Sequence, residues 1–231
     1  RLRAWVGGLE RFTPAAAADM VASLDDGYGE SMAAWRDGAV VRRALPALTG
    51  VELPPFPGRV SVFPYLSTET RRVAAGLGLV DAEWHHVFAG ARTLATLNEL
   101  RGGAGQHVTE PGGTGRQGAD AVRSGAARLV AAADLDLAGR RPYQLLVLEL
   151  SGVTASRTLT LRAGDGYRLT AAVGVAAVLA VLAGAVPAGA HLADEVLDPE
   201  PVVALVGRDP EVTVLHVSEA DAAELVEEGV L

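Results

Sequence analysis

Residues 144–186 read QLLVLELSGVTASRTLTLRAGDGYRLTAAVGVAAVLAVLAGAV and set the architecture of the chain. Hydrophobic residues fill 144–151 and alternate with threonine in 156–162, which predicts two paired antiparallel strands. The alternation in 156–162 also predicts that one side of this strand is buried and that the other faces solvent. A glycine-containing turn at 163–167 then leads into an alanine- and valine-rich helix, predicted over 170–186. We therefore expect a hairpin backed by a helix.

The rest of the chain predicts further strands and helices without a run of βαβ units. Helices that interleave with antiparallel hairpins are typical of the α+β class. We therefore predict an α+β fold with a mostly antiparallel or mixed sheet and with helices packed on one face. The predicted strands lie at residues 1–6, 31–36, 39–43, 59–65, 83–89 and 212–217, and the predicted helices at 15–24, 91–100 and 119–133, with two more begun by Ser67 and Ser218.

Three connections have their own sequence signatures. The pair Asp37-Gly38 suits the positive φ angles of a two-residue turn and predicts a β-hairpin. Prolines between residues 46 and 57 predict a covered loop. Residues 102–118 contain seven glycines and almost no large hydrophobic side chain, which predicts a flexible loop. We predict no nucleotide site in that loop, because the spacing G-x-G-x-x-G and a preceding strand are both missing.

The composition excludes several kinds of chemistry. All 20 basic residues are arginine, and the chain contains no lysine and no cysteine. Schiff-base lysines, thiol nucleophiles, disulfides and thiolate metal sites are therefore excluded. The net charge of -8 argues against a nucleic-acid surface, because phosphate binding needs clustered basic residues. The heavy use of alanine, glycine, valine and leucine indicates a high-GC bacterium.

The hydrophobic run at 171–187 raises the question of a membrane helix. A membrane-spanning helix needs about 20 strongly hydrophobic residues, whereas this run is shorter and rich in alanine and glycine. A buried core or interface helix is the better interpretation, with a membrane helix as the alternative. The opening residues RLRAWV alternate as in a strand and do not resemble a signal peptide. We expect a soluble, cytoplasmic protein without membrane or nucleic-acid partners.

Three short motifs add a family resemblance to this pattern. They are Trp5-Val6-Gly7-Gly8-Leu9, Trp35-Arg36-Asp37-Gly38-Ala39-Val40-Val41 and His86-Val87-Phe88-Ala89-Gly90. Together with residues 144–186, their order and spacing resemble the C-terminal domain of the saccharopine dehydrogenase-like (saccharopine reductase) oxidoreductases. The resemblance implies that residues 1–231 form one such domain, with a loop at 102–118 and a terminal strand and helix at 211–231. It also implies that the N-terminal Rossmann domain of that family is missing from this chain.

The resemblance carries expectations about function. It implies the substrate-binding and dimerisation domain of an NAD(P)-dependent oxidoreductase that acts on an amino acid or imine. NAD or NADP would be bound mainly by the missing domain, no metal is expected, and the chain would form a homodimer. Val87 stands where the family commonly has a carboxylate-binding arginine, which argues against saccharopine itself as the substrate. The alternative is a non-catalytic small-molecule-binding or dimerisation module derived from that family.

Five residues are candidates for substrate binding. Tyr167, Arg168 and Thr170 lie where a helix begins, and the free N–H groups of a helix start attract anions. Their alternative role is structural, with Thr170 capping the helix and Tyr167 packing over it. His86 lies on a strand expected to line the pocket, although a lone histidine often has only a structural role. Arg92 could replace the missing arginine, or it could be a solvated residue at a helix start.

No set of residues in the sequence makes a self-sufficient catalytic site. His85 and His86 are neighbours on a predicted strand and should point to opposite faces, so they cannot bind one metal ion. No serine lies in a G-x-S-x-G turn. Catalytic residues therefore stay unassigned from the sequence.

Overall fold

The computed structural model describes residues 1–24, 28–104 and 115–219. These residues form an α+β fold, in which seven helices pack around one large mixed sheet. The strands are β1 (Leu2–Leu9), β2 (Gly29–Ser31), β3 (Ala34–Arg36), β4 (Ala39–Val41), β5 (Leu48–Glu52), β6 (Arg59–Ser67), β7 (Asp81–Phe88), β8 (Tyr143–Ser151), β9 (Ser156–Ala163) and β10 (Val212–Ser218). The helices are α1 (Pro14–Ala22), α2 (Thr68–Gly76), α3 (Ala91–Ala104), α4 (Gly115–Leu137), α5 (Gly166–Leu182), α6 (Ala193–Val196) and α7 (Pro199–Gly207). The predicted fold class is confirmed.

The sheet places the first strand of the chain at its centre. Its main order is β10-β9-β8-β1-β7-β3-β4. Strand β3 pairs with the start of β7, and β6 pairs with the end of β7. Strands β2 and β5 in turn pair with β6. Strands β1 and β7 run parallel, with Gly7 opposite Val87, whereas the other described pairs are antiparallel. The predicted strand pair β8–β9 is confirmed, with Leu146 opposite Leu161.

The helices pack on one face of the sheet through two clusters of hydrophobic side chains. Helices α1, α3 and α4 meet Phe88 of β7 in one cluster, and α5 and α7 meet Leu146 and Leu161 in the other. Phe88 lies opposite Gly8, and Gly8 lies opposite Gln144, so Phe88 and Leu146 share a face. This arrangement agrees with the prediction of helices on one face.

The opposite face has its own core. Val62, Val87, Leu145 and Val147 form it, and β5 with the loop that follows covers it through residues such as Phe56. Residues 48–52 were expected in a covered loop, and that prediction is wrong for these five residues because they pair with β6 as an edge strand.

The predicted solvent-facing side of β9 is also wrong. Thr158 and Thr160 are buried, at 0% and 1% exposure. Thr160 lies opposite the buried Val147, and Thr158 lies opposite the buried Glu149. The part of the sheet face opposite the helices that carries these threonines is therefore enclosed. Alternation of hydrophobic and polar residues in β9 predicted solvent exposure on one side, but the polar side is buried as well.

Helix α5 begins at Gly166 and ends at Leu182, four residues earlier at each end than predicted. Asp165 has an extended backbone, and its side chain accepts a hydrogen bond from the Tyr167 N–H at 2.8 Å, so it starts the helix as its N-cap. Gly184, with a φ of 70°, ends the helix, and the Ala185 N–H donates to the Ala180 carbonyl at 2.9 Å. Asp165 therefore has the capping role that was expected of Thr170.

Other boundaries are partly as predicted. The hairpin at Asp37-Gly38 and the Ser67 cap of α2 are both confirmed. Residues 102–104 continue α3 and 115–118 begin α4, so the predicted loop 102–118 is wrong at its ends, and its remainder lies outside the described residues.

Helices α6 and α7 were not predicted. The predicted helix after Ser218 lies outside the described residues. Within the described residues, no helix combines the length and hydrophobicity needed to cross a membrane.

Candidate functional site

A cleft of about 240 Å³ opens on the helix-covered face, where β1 and β7 end. Because these two strands are parallel, both of their carboxyl ends lie at this edge of the sheet. The walls come from the end of β1 and its following loop, from β7, from α1 and α3, and from the start of β8. The lining residues are Val6, Gly7, Gly8, Leu9, Glu10, Phe12, Met20, His86, Val87, Phe88, Gly90, Thr93 and Gln144.

Two glycines make the floor of this cleft from bare backbone. Gly7 and Gly8 have φ angles of 145° and 155°, which residues with a side chain rarely adopt. A Cβ atom on Gly7 would overlap the Val87 carbonyl oxygen, and one on Gly8 would overlap the Tyr143 carbonyl oxygen. The strands can therefore approach at this point only because both residues lack side chains.

Glu10 supplies the titratable carboxyl of the cleft. It follows β1 directly and is partly buried. Burial, with a smaller contribution from the negative charge of Asp165, raises the pKa of Glu10 from 4.5 to about 7. Near neutral pH, the carboxyl is therefore present in both its protonated and ionised forms, as a general acid or base requires.

His86 adds a neutral imidazole to the same cleft. Burial lowers the pKa of His86, and the positive charges of Arg101 and His85 lower it further. Its ring meets the Tyr65 ring edge-on, with centroids 5.7 Å apart. His85 points to the other face, where it stacks on Trp5 at 5.7 Å, so the two histidines diverge as predicted. Among the described residues, no group of three potential ligands could hold a metal ion.

Gln144 presents a hydrogen-bond acceptor that the described residues leave unused. Its side-chain oxygen Oε1 is buried and has no hydrogen-bond partner among them. A buried acceptor without a partner costs about 1–3 kcal/mol. Gln144 also lines the cleft, and a rotation of its side-chain amide toward the cleft would let a ligand N–H or O–H group recover that energy.

Helix α3 begins at the cleft and is held there by Asp136 of α4. The Asp136 carboxylate accepts hydrogen bonds from the backbone N–H groups of Arg92 at 3.1 Å and Thr93 at 2.8 Å, and from the Thr93 hydroxyl at 2.9 Å. Gly90 has no side chain to obstruct this approach. Asp136 thus fixes the position of Thr93, which lines the cleft.

We expect Asp136→Ala to destabilise the protein by about 1–2 kcal/mol, because the start of α3 loses its capping carboxylate. The matched control is Asp134→Ala, which removes an exposed carboxylate from the same helix. Urea denaturation of both variants measures the difference. Equal midpoints for the two variants would contradict the capping role of Asp136.

The structure brings one of the five sequence-predicted site residues into the cleft. His86 lines it. Tyr167 lies next to the cleft. Its hydroxyl donates to the Arg11 carbonyl at 3.1 Å and accepts from the Thr13 N–H at 3.3 Å, and both of these residues follow Glu10 closely in the chain. The other three lie outside the lining.

Those three residues have positions that explain their separation from the cleft. Arg168 forms an ion pair with Asp209, with 2.9 Å between Nε and Oδ1. The hydroxyl of Thr170 donates to the Gly166 carbonyl within α5 at 3.5 Å. The side chain of Arg92 is exposed, and only its backbone N–H takes part in the start of α3.

The start of α5 already has a carboxylate of this chain at its free N–H groups. The Asp165 carboxylate caps the helix, and a Cβ on Gly164 would overlap a carboxylate oxygen of Glu211. The hydrogen bond to Asp209, followed by the charges of Asp209, Glu211 and Asp165, raises the pKa of Arg168, so this positive charge is already balanced by carboxylates of the chain.

The same observation bears on a dinucleotide. A pyrophosphate needs a glycine-rich turn with free N–H groups at a helix start. At α5 and at α3 these positions are taken by Asp165 and Asp136, and at α1 by the Thr13 side chain, which accepts from the Ala16 N–H at 3.2 Å. These three helix starts do not fit the pyrophosphate of NAD or NADP.

Sequence reasoning missed Glu10, Gln144 and Thr93. A usable signal exists for Glu10, since this acidic residue lies two positions after the glycine pair Gly7-Gly8 at the end of a strand. A glycine pair inside a strand indicates close backbone approach, and loops at strand ends often hold binding groups. Gln144 and Thr93 have no comparable local signal. No protein-family model matches this sequence, and a search of curated proteins found no significant match.

Proposed function

We propose that the cleft binds a small metabolite that bears an amine or imine. On this proposal the chain is the substrate-binding domain of an NAD(P)-dependent oxidoreductase that acts on an amino acid or imine in the cytoplasm, as the family resemblance implies. The observation that carries the proposal is that Glu10 and Gln144 line the same cleft. Glu10 has a raised pKa, and the side-chain oxygen of Gln144 has no hydrogen-bond partner among the described residues.

The charges around the cleft support a nitrogen-bearing ligand. Ionised Glu10, with Asp165 close enough to raise its pKa, attracts a cation and disfavours an anion. An ammonium or iminium N–H donates to a carboxylate, and a second N–H can donate to Gln144 Oε1. Neutral His86 adds no positive charge that would oppose such a ligand.

The size of the cleft supports a small ligand. Pockets for drug-sized molecules measure about 300–1,000 Å³. The cleft, at about 240 Å³, lies below that range and suits a molecule of amino-acid size. Phe12, Met20 and Phe88 supply hydrophobic contacts for its carbon atoms.

Glu10 has the properties of a proton-transfer group in such a reaction. With a pKa of about 7, it can give a proton to a substrate nitrogen or accept one from it at neutral pH. Burial raises the pKa of Glu10 to this range, and the negative charge of Asp165 adds to the shift because it opposes the ionisation of Glu10. This role depends on an amine or imine nitrogen lying within hydrogen-bond reach of the carboxyl.

Binding experiments test the proposal directly. Calorimetric titration with a panel of small amines, amino acids and stable imine analogues should find ligands for the wild-type chain. Glu10→Gln and Gln144→Leu should each weaken the same ligand at least about tenfold, the loss expected when a hydrogen bond to a charged group or a buried acceptor is removed. Glu52→Gln, which removes an exposed carboxylate from β5, should leave the affinity unchanged. Failure of every amine to bind, or equal affinity in Glu10→Gln, would overturn the proposal.

Turnover separates the enzyme from a non-catalytic module. The intact mass of the natural protein, compared with 23.8 kDa for this chain, reports whether a Rossmann domain accompanies it. A larger natural protein that oxidises NADH or NADPH with an imine supports the oxidoreductase. A natural protein of this length that binds the ligand without turnover favours the binding module instead.

A further inference from the structure

From Ala171 to Leu182, helix α5 is hydrophobic around its whole circumference. Its inner face packs on the sheet and on α7 through residues such as Leu169, Ala172 and Ala176. Its outer face is hydrophobic as well, although a surface helix ordinarily presents polar residues there. The outer face consists of Ala171, Gly174, Val175, Val178, Leu179 and Leu182, all exposed and spaced by three or four residues.

The exposed hydrophobic area on this outer face is large. Val178 is 59% exposed, Leu179 is 53% exposed and Leu182 is 77% exposed. With Val175 and Val181, these residues expose roughly 500 Å², within the range of the largest patch on a typical monomer. A standard interface buries about 800 Å² per partner, and about 65% of a homodimer interface is apolar. The outer face therefore supplies the hydrophobic part of one such interface.

The charge pattern favours a second copy of the chain as the occupant. The chain has a net charge of -8, so two copies repel each other over most of their surfaces. Residues 169–193 contain no Asp, Glu or Arg. The outer face of α5 is thus a surface on which two copies can meet without like charges in contact.

The shape of the outer face suits a symmetric pair of antiparallel helices. Small residues, Ala171 and Gly174, lie at one end, and the large residues Leu179 and Leu182 lie at the other. An antiparallel arrangement about a twofold axis places the leucines of one helix over the small residues of its partner. Apart from the helix's own backbone, no atom of the described residues lies within 4 Å of the position that a Cβ on Gly174 would occupy, so this groove is open among them.

We propose that the outer face of α5 binds the same face of a second copy to form a twofold homodimer. The two α5 helices run antiparallel in this dimer, with Val175 and Val178 next to the axis. A homodimer was expected from the family resemblance; this inference assigns its interface and is independent of the ligand in the cleft.

Sedimentation and light scattering of the full chain at about 50 μM test the proposal, a concentration well above the micromolar Kd of an ordinary interface. The wild-type protein should be a dimer. Val178→Glu places two carboxylates near the axis and should give a monomer. The control is Val153→Glu, at a fully exposed position in the β8–β9 turn, which should stay a dimer. A monomeric wild type, or an unchanged dimer in Val178→Glu, would overturn the proposal.

Cross-linking gives a second readout that does not depend on a destabilising charge. The chain has no cysteine, so a single introduced thiol reports one position. A short bis-maleimide should join two copies of Val178→Cys efficiently and two copies of Val153→Cys poorly. Equal cross-linking of the two variants would contradict the antiparallel pairing. Binding of a monomeric wild type to phosphatidylcholine vesicles would identify a lipid surface as the occupant and overturn the proposal.

Discussion

Replacing Glu10 by glutamine should stabilise the protein at pH 8 and have little effect at pH 4.5. The pKa of Glu10 is about 7 in the folded protein, against an ordinary value of 4.5. Between these two pH values the folded protein keeps a proton that the unfolded chain has lost, so wild-type stability falls as the pH rises and becomes level above pH 7. Glutamine cannot ionise and avoids this loss. The expected gain at pH 8 is on the order of 3 kcal/mol, since the pKa shift spans about two and a half pH units and each unit is about 1.4 kcal/mol.

Urea denaturation of wild type and Glu10→Gln at several pH values between 4.5 and 8 measures this difference. The matched control, Glu52→Gln, also removes one negative charge, but from an exposed position on β5. If the two variants show the same pH dependence, the gain comes from net charge and not from the burial of Glu10. A difference that does not grow between pH 5 and pH 7 would contradict the raised pKa.

The same substitution separates stability from function at the cleft. Glu10 lowers the stability of the empty protein at neutral pH, and the proposed cationic ligand would offset this cost by lowering the pKa of the carboxyl. Glu10→Gln should therefore be more stable than wild type and bind an amine more weakly. A residue that served only the fold would not show this opposition.

Local patterns in the sequence predicted most of the secondary structure. The strands β6 to β9 follow hydrophobic runs or alternation, the Asp37-Gly38 turn follows from its backbone requirements, and the α2 cap follows from Ser67. In each case the interactions that fix the element lie within a few residues of one another. Such interactions can be recognised without knowing the rest of the fold.

The errors in element boundaries have equally local causes. Asp165 between two glycines suggested a turn, although an aspartate in extended backbone is also a good N-cap, and α5 begins there. The prolines around β5 suggested a loop, yet Leu48 to Glu52 lie between them and pair with β6 at a sheet edge, where proline is tolerated nearby. The aspartate is compatible with a turn or an N-cap, and the prolines are compatible with a loop or an edge strand. Tertiary contacts favour the N-cap and the edge strand.

The cleft could not be predicted because its residues are far apart in the chain. The parallel pairing of β1 with β7 brings Gly8 opposite Phe88, and the antiparallel pairing with β8 brings Gly8 opposite Gln144. Neither pairing has a local signature. His86 was selected because its strand was expected to line the pocket, and it does line the cleft. Tyr167, Arg168 and Thr170 were selected from a helix start that Asp165 caps, and Arg92 was selected as a substitute for the missing arginine of the family.

Gly7→Ala should be the most destabilising of the small substitutions in this protein. Gly7 lies in the central strand β1, between Val87 of β7 and Leu145 of β8, so its backbone cannot move away from one neighbour without disturbing the other. An alanine there would adopt a φ of 145°, which costs about 1–3 kcal/mol. Its Cβ would also overlap the Val87 carbonyl oxygen, and relieving such an overlap typically costs about another 1–3 kcal/mol.

The sum, about 2–6 kcal/mol, is a large part of the 5–15 kcal/mol that stabilises an ordinary domain. Gly76→Ala is the control, because it adds the same methyl group in helix α2 where nothing lies within 4 Å, and it should be neutral or slightly stabilising. Urea denaturation should show a strongly lowered midpoint for Gly7→Ala alone. A midpoint equal to that of wild type would mean that β1 can shift away from β7, and that the floor of the cleft does not depend on a bare backbone at Gly7.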